Sequence, residues 1–595
     1  MNRRNFLRTA AVVPVLARRA TFSDPPLSES ESPTETLSLP SAAPSDAPLQ
    51  QRYQLTLHRV LHGTAPAFTE DFLLQDVRPT PGRRFTEYSG DLSGRYIGAL
   101  ATAVRVYGAN FPNLDALVPK VIALQKPDGY FGSAFHYDKP TDNDLALLWG
   151  NGRLLVGLLE YYRYKPDPSV LASSRRLGDF LLRIAPLMLS QDIRAEFGAA
   201  HFASSYICWT QQTEGLANLF LATKDDRYRQ LAEQIAAVIE RRPGDHVHGY
   251  LTSLRGVMDL YHATADPRFL QQCQAAWQDI SQSEDLLITG GVPEGWSPNK
   301  HRTEGCAEVD WLRLNLSLWQ ATGDPKYLAM AERAAFNELS LNQFDTGDFG
   351  HRVLTPTGFS GDAAVRAWWC CTLHGLRYFP DLQSSVFRAN SGTLAYELPM
   401  DSAAKPGRAA SPTLAATATS SLAVDGSVKI TITSAGEAPA SLLIRKPAWA
   451  HALAVRLNGV STQFPVDGDY LRAHRQWHRG DVLTVNYEMA LQQKPSDPQR
   501  VTFSYGPWLL GAPAADNHAY FNELTTDNKL AATNNQPAPE NPARPFTVPI
   551  AARTFAYTPA EFPDQPGSVT LRAIAEQTGA CTTTWELRFL TNQNV

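Results

Sequence analysis

LFLATKDDRY (Leu219–Tyr228) recurs twice more along the chain, as LYHATADPRF (Leu260–Phe269) and as LWQATGDPKY (Leu318–Tyr327). A weaker fourth copy runs from Tyr162 to Asp167. In each copy an apolar helix is predicted to end and an Asp to cap the next helix, which often begins with Pro. Pro is favourable there because the first helical N–H has no partner within the helix. The recurring unit is therefore predicted to be a helical hairpin.

Helical hairpins of this kind are predicted over residues 51–385. The segments between the copies are amphipathic and of ordinary helical length, for example residues 228–239 and 327–339. Such hairpins can stack as an open solenoid or close into an (α/α)6 barrel, a ring of six helix pairs, and the pattern alone does not choose. Closure is favoured because the candidate ligand residues described below lie between helices, as a funnel lined by loops requires.

The hydrophobic period changes after residue 385. Strand-length segments that alternate or run apolar follow, and Asn458-Gly459 between two of them is typical of a tight hairpin turn. These patterns predict a β-sandwich over residues 386–512 and a loop-rich segment with additional strands over residues 513–595. The fold class is thus α+β, with several domains. The predicted strands are 427–434, 441–445, 453–457, 482–487, 501–505, 568–571 and 584–589.

The N-terminus is typical of an exported protein. Residues 1–20 contain Arg3-Arg4 followed by Phe6-Leu7 and a short apolar run, which predicts a twin-arginine export signal and a periplasmic or extracellular location. The apolar run is too short to span a bilayer, so no stable membrane insertion is expected. Residues 21–50 are rich in Ser, Pro, Thr and Glu and predict a disordered linker.

Composition excludes some classes of partner. The chain has 595 residues and a net charge of −5, without a long basic run that could neutralise a nucleic-acid backbone. Its 12 Trp, 21 Tyr and 26 Phe suit sugar faces as well as they suit a core. The six cysteines are too few and too scattered for a disulfide framework, so free or metal-bound thiols are expected. Two of them, Cys208 and Cys273, fall in helical stretches and are predicted to be small buried core residues.

The candidate catalytic and metal-binding residues lie in three short segments of the sequence: Glu304-Gly305-Cys306, Cys370-Cys371 and Glu294. Neighbouring Cα atoms lie about 3.8 Å apart, below the roughly 4.4–6.8 Å of a disulfide, so the adjacent cysteines are not expected to bond to each other. Three thiols and two carboxylates are the makings of a thiolate-rich zinc site with an acid beside it. A closed, purely structural zinc site is the alternative.

An ordered set of motifs resembles the β-L-arabinofuranosidase family, glycoside hydrolase family 127 (GH127). The Cys-Cys pair makes the set specific, and the matches run in family order through most of the chain. They are Gln125-x-Pro127-Asp128-Gly129-Tyr130, Thr289-Gly290-Gly291 followed by an acid, Glu304-x-Cys306, Cys370-Cys371 with Arg377, and Ile444-Arg445-x-Pro447-x-Trp449 leading into Val455-Arg456-Leu457-Asn458-Gly459.

The resemblance implies an (α/α)6 barrel followed by β-sandwich modules, and Zn²⁺ held by Glu304, Cys306, Cys370 and Cys371. It also implies that Cys370 is the nucleophile and Glu294 the acid/base of a retaining glycosidase that releases a non-reducing-end sugar, by analogy β-L-arabinofuranose from a plant-type oligo- or polysaccharide. Physical chemistry agrees with these roles, because zinc keeps a bound thiol deprotonated and able to attack an anomeric carbon.

Several positions depart from the family pattern. Glu294 lies only ten residues before Glu304, which predicts a shortened loop. Arg153 and His374 stand where a sugar-contacting His and an Asn are expected, and His248 is expected to reach inward in place of a second histidine near Thr252. The predicted substrate-binding residues are Glu214, Arg153, His248, His374 and Tyr130, the last on a rigid turn at the cleft rim.

Two rivals remain at this point. The first is a glycosidase of different specificity that uses Glu294 with Asp310 or Glu308 while zinc is structural. The second is a non-catalytic glycan-binding protein in which zinc only fastens loops. A smaller expectation concerns Asp91 and Arg95, whose spacing of one helical turn predicts a surface ion pair.

Overall fold

The computed structural model describes residues 48–64, 66–80, 83, 85–190, 204–360, 367–390, 392–403, 414–517, 555–557, 569–576 and 584–590. These residues belong to one compact unit. The predicted export signal and nearly all of the predicted linker lie outside the described residues, but residues 48–50 already belong to the first helix. No helix within these ranges has both the length and the apolar character that a bilayer span requires.

Six inner helices form a closed ring. Each packs against the next and the last packs against the first, in the order α3 (Asp91–Tyr107), α5 (Asp142–Tyr164), α8 (Gln212–Thr223), α10 (Val247–Thr264), α12 (Gly305–Thr322) and α15 (Trp369–Gln383). The ring decides between the two arrangements that the hairpins allowed. The prediction of an (α/α)6 barrel is confirmed.

Each inner helix has an outer partner packed against it. In the same order, the outer helices are α4 (Pro112–Ile122), α6 (Pro168–Met188), α9 (Asp226–Ala236), α11 (Pro267–Gln282), α13 (Pro325–Arg333) and α1 (Pro48–His62). The predicted helix 228–239 is thus α9, which ends three residues earlier. The predicted helix 327–339 is α13 continued by a π-helical turn (Ala334–Glu338) and α14 (Leu339–Asn342). Shorter helices lie at Glu70–Val77 (α2), Ser205–Thr210 (α7) and Leu422–Asp425 (α16).

The recurring phrase forms the same structure in all three full copies. A threonine hydroxyl closes the inner helix by donating to the carbonyl four residues back, and it accepts the backbone N–H of the capping aspartate. The aspartate carboxylate then accepts the N–H two residues on, at 3.0–3.1 Å. The threonines are Thr223, Thr264 and Thr322, and the aspartates are Asp225, Asp266 and Asp324. This shared hydrogen-bond pattern explains why the phrase recurs.

Two antiparallel-rich sheets follow the barrel. One has the order β12 (Val466–Asp467), β13 (Tyr470–Arg475), β9 (Ala440–Arg445), β5 (Thr393–Tyr396), β4 (Phe387–Asn390). The other has the order β11 (Val460–Ser461), β10 (Leu453–Leu457), β14 (Val482–Tyr487), β8 (Ser427–Ala435), β7 (Leu414–Ser421), β6 (Ser402–Ala403). Asn458 and Gly459, with φ of 50° and 84°, form the predicted hairpin turn between β10 and β11.

A third sheet joins the barrel to the C-terminal segment. Its main path is β1 (Arg302–Glu304), β2 (His351–Leu354), β3 (Gly358–Ser360), β20 (Trp585–Glu586), β17 (Trp508–Pro513), β16 (Arg500–Tyr505), β15 (Leu491–Pro495), with β18 (Phe555–Tyr557), β19 (Val569–Ala573) and β21 (Phe589–Leu590) attached. The predicted sandwich boundary at residue 512 therefore falls inside this sheet. Of these strands, periodicity located β16, β19, β20 and β21 but not the others, and it does not specify which strand pairs with which.

Candidate active site

Two helix N-termini bring the three thiols together. Glu304 ends β1 and is the N-cap of α12, and Cys306 is the second residue of that helix. Cys370 and Cys371 are the second and third residues of α15. The first turn of a helix has unpaired N–H groups and a partial positive charge, so both termini favour thiolate over thiol.

The geometry of these four residues fits a divalent ion. The Sγ atoms of Cys306 and Cys371 lie 3.6 Å apart, and the Sγ of Cys371 lies 3.9 Å from a Glu304 oxygen. One ligand atom from each of the four residues lies within 4.8 Å of all the others. Tetrahedral zinc with Zn–S bonds of about 2.3 Å separates two sulfurs by roughly 3.8 Å. Three thiolates and one carboxylate are therefore a suitable ligand set for zinc, and these residues are called the thiol site below.

One of the three sulfurs is accessible. The side chains of Cys306 and Cys371 are fully buried, whereas Cys370 is half-buried and lines a cavity of about 160 Å³. Glu304 and Glu294 line the same cavity. A molecule in this cavity can therefore contact Cys370 while the other two sulfurs remain shielded.

Charge is distributed unevenly over the thiols. Hydrogen bonds from Cys306 and Cys371 lower the pKa of Cys370 well below its usual value, and Arg95 and His248 lower it further. Burial raises the pKa of the Cys306 and Cys371 thiols well above the usual value. Of the three thiols, Cys370, which faces the cavity, is therefore the one whose surroundings most favour ionisation.

Glu294 reaches the cavity through a short loop. Its N–H donates to the carbonyl of Arg302 at 2.8 Å, and the Arg302 side chain forms a bidentate ion pair with its carboxylate. His351 approaches the same carboxylate, and its Nε2 lies 3.6 Å from Glu294 Oε1. The shortened loop predicted from the sequence therefore folds back on β1 and places Glu294 beside Glu304.

The Thr289-Gly290-Gly291 motif anchors this loop to two buried carboxyl groups. The Thr289 hydroxyl donates to Glu338 at 2.5 Å, and the N–H of Val292 donates to Glu308 at 3.1 Å. A Cβ on Gly291 would lie 2.4 Å from a Glu308 oxygen, so only glycine fits. Burial raises the pKa of Glu308 well above its usual value and that of Glu338 to about 7. Glu308 therefore has a structural role and does not line the cavity.

Four of the predicted sugar contacts lie elsewhere, inside the ring. Arg153, Glu214, His248 and His374 are all buried, and none lines the cavity. Together with Arg255 and Asp310 they form what we call the inner-helix network. Asp310 accepts from Arg255 at 2.6 Å, and His248 and His374 lie 2.8 and 2.9 Å from it; Glu214 pairs with Arg153 and Arg255. These basic groups neutralise two buried carboxylates, and they hold the pKa of Glu214 at about 2 despite its burial.

Tyr130 also lies away from the cavity. The turn before it forms as predicted, with Gly129 at φ 98°, but the tyrosine ring is buried against Phe180 at 4.9 Å. Its hydroxyl accepts the N–H of Phe135. An aromatic residue on a turn can face solvent or core, and here packing placed it in the core.

Asp91 and Arg95 pair as predicted but not at the surface. Arg95 Nε donates to Asp91 at 2.8 Å, and both side chains are largely buried. The remaining guanidinium nitrogens of Arg95 contact Cys306 Sγ at 3.6 Å and His248 Nε2 at 2.9 Å. The spacing was sufficient to predict the pair, but the burial depended on α3 being an inner helix.

Other residues around the thiol site were not predicted. His246 Nε2 lies 3.0 Å from Glu304, and it approaches from the N-terminus of α10. The cavity is further lined by Asp76, Phe85, Tyr88, Asp91, Leu92, Arg302, His351, Trp368 and Trp369. Two sequence signals existed, Trp368-Trp369 directly before the cysteine pair and Arg302 two residues before Glu304, and the remaining residues come from segments distant in the chain.

Comparisons with known proteins agree with this architecture. The sequence matches the β-L-arabinofuranosidase GH127 catalytic domain over residues 80–384 and the GH127 middle domain over residues 395–489. No curated protein sequence matches the chain.

Solved structures share the fold at low sequence identity. A GH127 β-arabinofuranosidase matches with 19% identity and a TM-score of 0.60, covering 79% of this chain and 83% of its own. A GH127 β-L-arabinofuranosidase from Geobacillus stearothermophilus T6 matches with 17% identity and a TM-score of 0.58, covering 79% and 86%. A glycoside hydrolase matches with 15% identity and a TM-score of 0.61, covering 92% and 96%.

A closed ring of six helix pairs defines a protein of the (α/α)6-barrel class, and the family match over residues 80–384 identifies it as a glycosidase. The chain belongs to glycoside hydrolase family 127.

Proposed function

We propose that the protein is an exported, zinc-dependent retaining glycosidase that releases one non-reducing-end sugar, β-L-arabinofuranose, from a plant-type glycan. The observation that carries the proposal is that Cys370 and Glu294 line one cavity. The sugar identity is taken from the names of the GH127 relatives, and export from the twin-arginine pattern at residues 1–20.

The reaction would proceed in two displacements. Cys370 Sγ attacks the anomeric carbon while the glycosidic C–O bond breaks, and Glu294 donates a proton to the departing oxygen. Water then attacks the same carbon, Glu294 accepts its proton, and the Cys370 thiolate leaves. Two inversions retain the configuration, with sulfur in place of the usual second carboxylate. A Zn²⁺ ion bound by Glu304, Cys306, Cys370 and Cys371 would keep the thiols deprotonated.

The contacts of Glu294 set a condition on this mechanism. Arg302 holds both carboxylate oxygens, and a carboxyl group that donates a proton must release one of them. Arg302 is the first residue of β1 and its side chain is about one-third exposed, so burial does not fix it against Glu294.

The two-carboxylate alternative lacks the partners that the sequence suggested. Glu308 is buried against the N–H of Val292, and Asp310 is occupied by the inner-helix network. Neither residue lines the cavity with Glu294. The geometry therefore favours sulfur as the nucleophile.

Trapping the intermediate tests the proposal. Wild-type protein is mixed with an activated aryl β-L-arabinofuranoside and quenched, and its peptides are analysed by mass spectrometry. We expect the sugar on Cys370. Cys370→Ser and Glu294→Gln should each lower kcat/KM at least about a hundredfold, while Cys208→Ser, a buried thiol outside the site, should change it little.

The outcomes separate the rivals. A label on a carboxylate would overturn the cysteine mechanism, and sugar binding without turnover in wild-type protein would favour a glycan-binding role. Metal analysis of purified protein and activity with and without a chelator test the zinc assignment. Replacing Arg3 and Arg4 together by Lys should leave the protein in the cytoplasmic fraction if the twin-arginine route is used.

A further inference from the structure

Three aromatic side chains line the cavity beside the catalytic groups. Phe85, Trp368 and Trp369 are each partly exposed, and we call them the aromatic wall. The Phe85 ring lies 5.6 Å from Trp368 and 6.3 Å from Trp369, so the three rings form one continuous surface. By contrast, Trp149, Trp209, Trp296, Trp311 and Trp477 are fully buried core residues.

The wall is held in place by residues behind it. Phe72 meets Trp369 edge to face at 5.3 Å, and the Arg83 guanidinium covers Phe72 at 4.3 Å. Phe85 itself has a φ of 63°, a left-handed conformation that is unusual for a bulky residue and is seen where function constrains the backbone. Fixed aromatic rings that remain partly exposed are typical of a binding surface.

The aromatic wall lies next to Glu294, which is proposed to protonate the leaving oxygen. The Trp368 ring lies 5.4 Å from the His351 ring, and His351 Nε2 lies 3.6 Å from Glu294. Trp369 directly precedes Cys370 in the first turn of α15. The rings therefore lie on the cavity wall that adjoins Glu294, the group proposed to protonate the departing oxygen.

We propose that Phe85, Trp368 and Trp369 form the leaving-group subsite, and that it selects a leaving group with a flat apolar face. An aryl ring and the C–H face of a second sugar share this chemistry, and the composition of the wall favours the aryl ring because its three side chains offer sugar hydroxyls no hydrogen-bonding group other than two indole N–H donors. The inference rests on the proposed function, because it takes Cys370 as nucleophile and Glu294 as acid/base.

The second displacement isolates this subsite. An added alcohol can replace water: its oxygen bonds to the anomeric carbon, the C–S bond to Cys370 breaks, and its proton passes to Glu294. The sugar on Cys370 is the same for every acceptor, and the intrinsic reactivity of each acceptor cancels when the product ratio of wild-type protein is compared with that of a wall variant.

The experiment uses one activated donor glycoside with equal concentrations of benzyl alcohol, ethylene glycol and a methyl glycoside as competing acceptors. We expect the benzyl alcohol to ethylene glycol product ratio of wild-type protein to exceed that of Trp368→Ala and of Trp369→Ala by about 3- to 10-fold, the usual range for an aromatic contact. Trp369→Phe should retain most of the wild-type ratio. Tyr137→Ala, which removes an exposed aromatic outside the cavity, is the matched control.

Each result has a distinct meaning. A wild-type ratio that the wall substitutions do not change would overturn the inference. A preference for the methyl glycoside that the same substitutions abolish would assign the wall to the face of a second sugar. If no donor is cleaved, the proposed function fails, and binding of benzyl alcohol to Cys370→Ser, followed by tryptophan fluorescence, still tests the wall: no difference from Cys370→Ser/Trp369→Ala would overturn it.

Discussion

The thiol site and the inner-helix network are both polar clusters inside the same barrel, but they differ in whether a polar side chain remains accessible from a cavity. In the network, Asp310 and Glu214 are fully buried and their charges are met by arginines and histidines. In the thiol site, Cys370 is half-buried, carries a lowered pKa and faces a cavity. Residue type alone suggests a reactive site at both clusters. Accessibility distinguishes them, because only the thiol site has a side chain that faces the cavity.

The largest expected effect is a change in the free energy of unfolding, and it should distinguish the inner-helix network from the thiol site and its cavity. Asp310→Ala leaves Arg255, His248 and His374 without their shared acceptor, so we expect the free energy of unfolding to fall by about 3–5 kcal/mol. Glu294→Gln, a change in the cavity, should lower it by less than about 1 kcal/mol. Chemical denaturation of both variants measures the difference. Equal decreases in the free energy of unfolding would contradict a mainly structural role for the inner-helix network.

A carboxyl group with features of both environments sharpens the comparison. Asp76 lines the cavity yet is 3% exposed, and burial raises its pKa from 3.8 to about 6 against hydrogen bonds from Ser93. Between about pH 4 and pH 6 the folded protein therefore keeps a proton on Asp76 that the unfolded chain has lost. Its contribution to stability is complete below about pH 4 and declines by roughly 3 kcal/mol as the pH rises through 6.

Asp76→Asn should remove this decline. We expect the free energy of unfolding, measured by urea denaturation from pH 4 to pH 7, to fall more steeply for wild-type protein than for the variant. Asp128→Asn, which changes an exposed carboxylate, is the control. Parallel curves for wild-type protein and Asp76→Asn would mean that Asp76 is solvated in the folded state.

The smallest effect concerns a part of the barrel outside both clusters. The Asp324 carboxylate accepts the N–H of Lys326 and caps α13. Asp324→Ala should lower the free energy of unfolding by about 1 kcal/mol and leave kcat/KM unchanged, because the cap lies on the outer ring. Thermal unfolding and a kinetic assay of the same preparation check both parts. Loss of activity without loss of stability would contradict a purely local role.

Much of the barrel could be predicted from local chemistry. The Thr-x-Asp caps at 223–225, 264–266 and 322–324 involve hydrogen bonds within a few residues, so the phrase itself specifies the helix ends. The strands β10 and β14 match their predicted bounds because alternation along a strand is likewise local. The third sheet could not be predicted, because β20 pairs with β3 across more than two hundred residues of chain.

The sugar contacts show the same limit. Arg153, His248 and His374 were predicted from the family pattern and Glu214 from its place in a repeat helix, and all four lie on inner helices. Their side chains pair within the inner-helix network instead of facing the cavity, since an unpaired charge inside the ring would cost more than an ion pair. Phe85, His351 and Arg302 come from three separate segments, and no local pattern connects them.

The sequence by itself determined the helical hairpins and the positions of eight strands, because these depend on neighbours within a few positions, and the family resemblance supplied the set of candidate metal ligands. Ring closure, the pairing of the third sheet and the exposure of Cys370 were decided only by the tertiary structure. Each of these depends on which distant segments exclude water from one another, and that is a property of the packed chain as a whole.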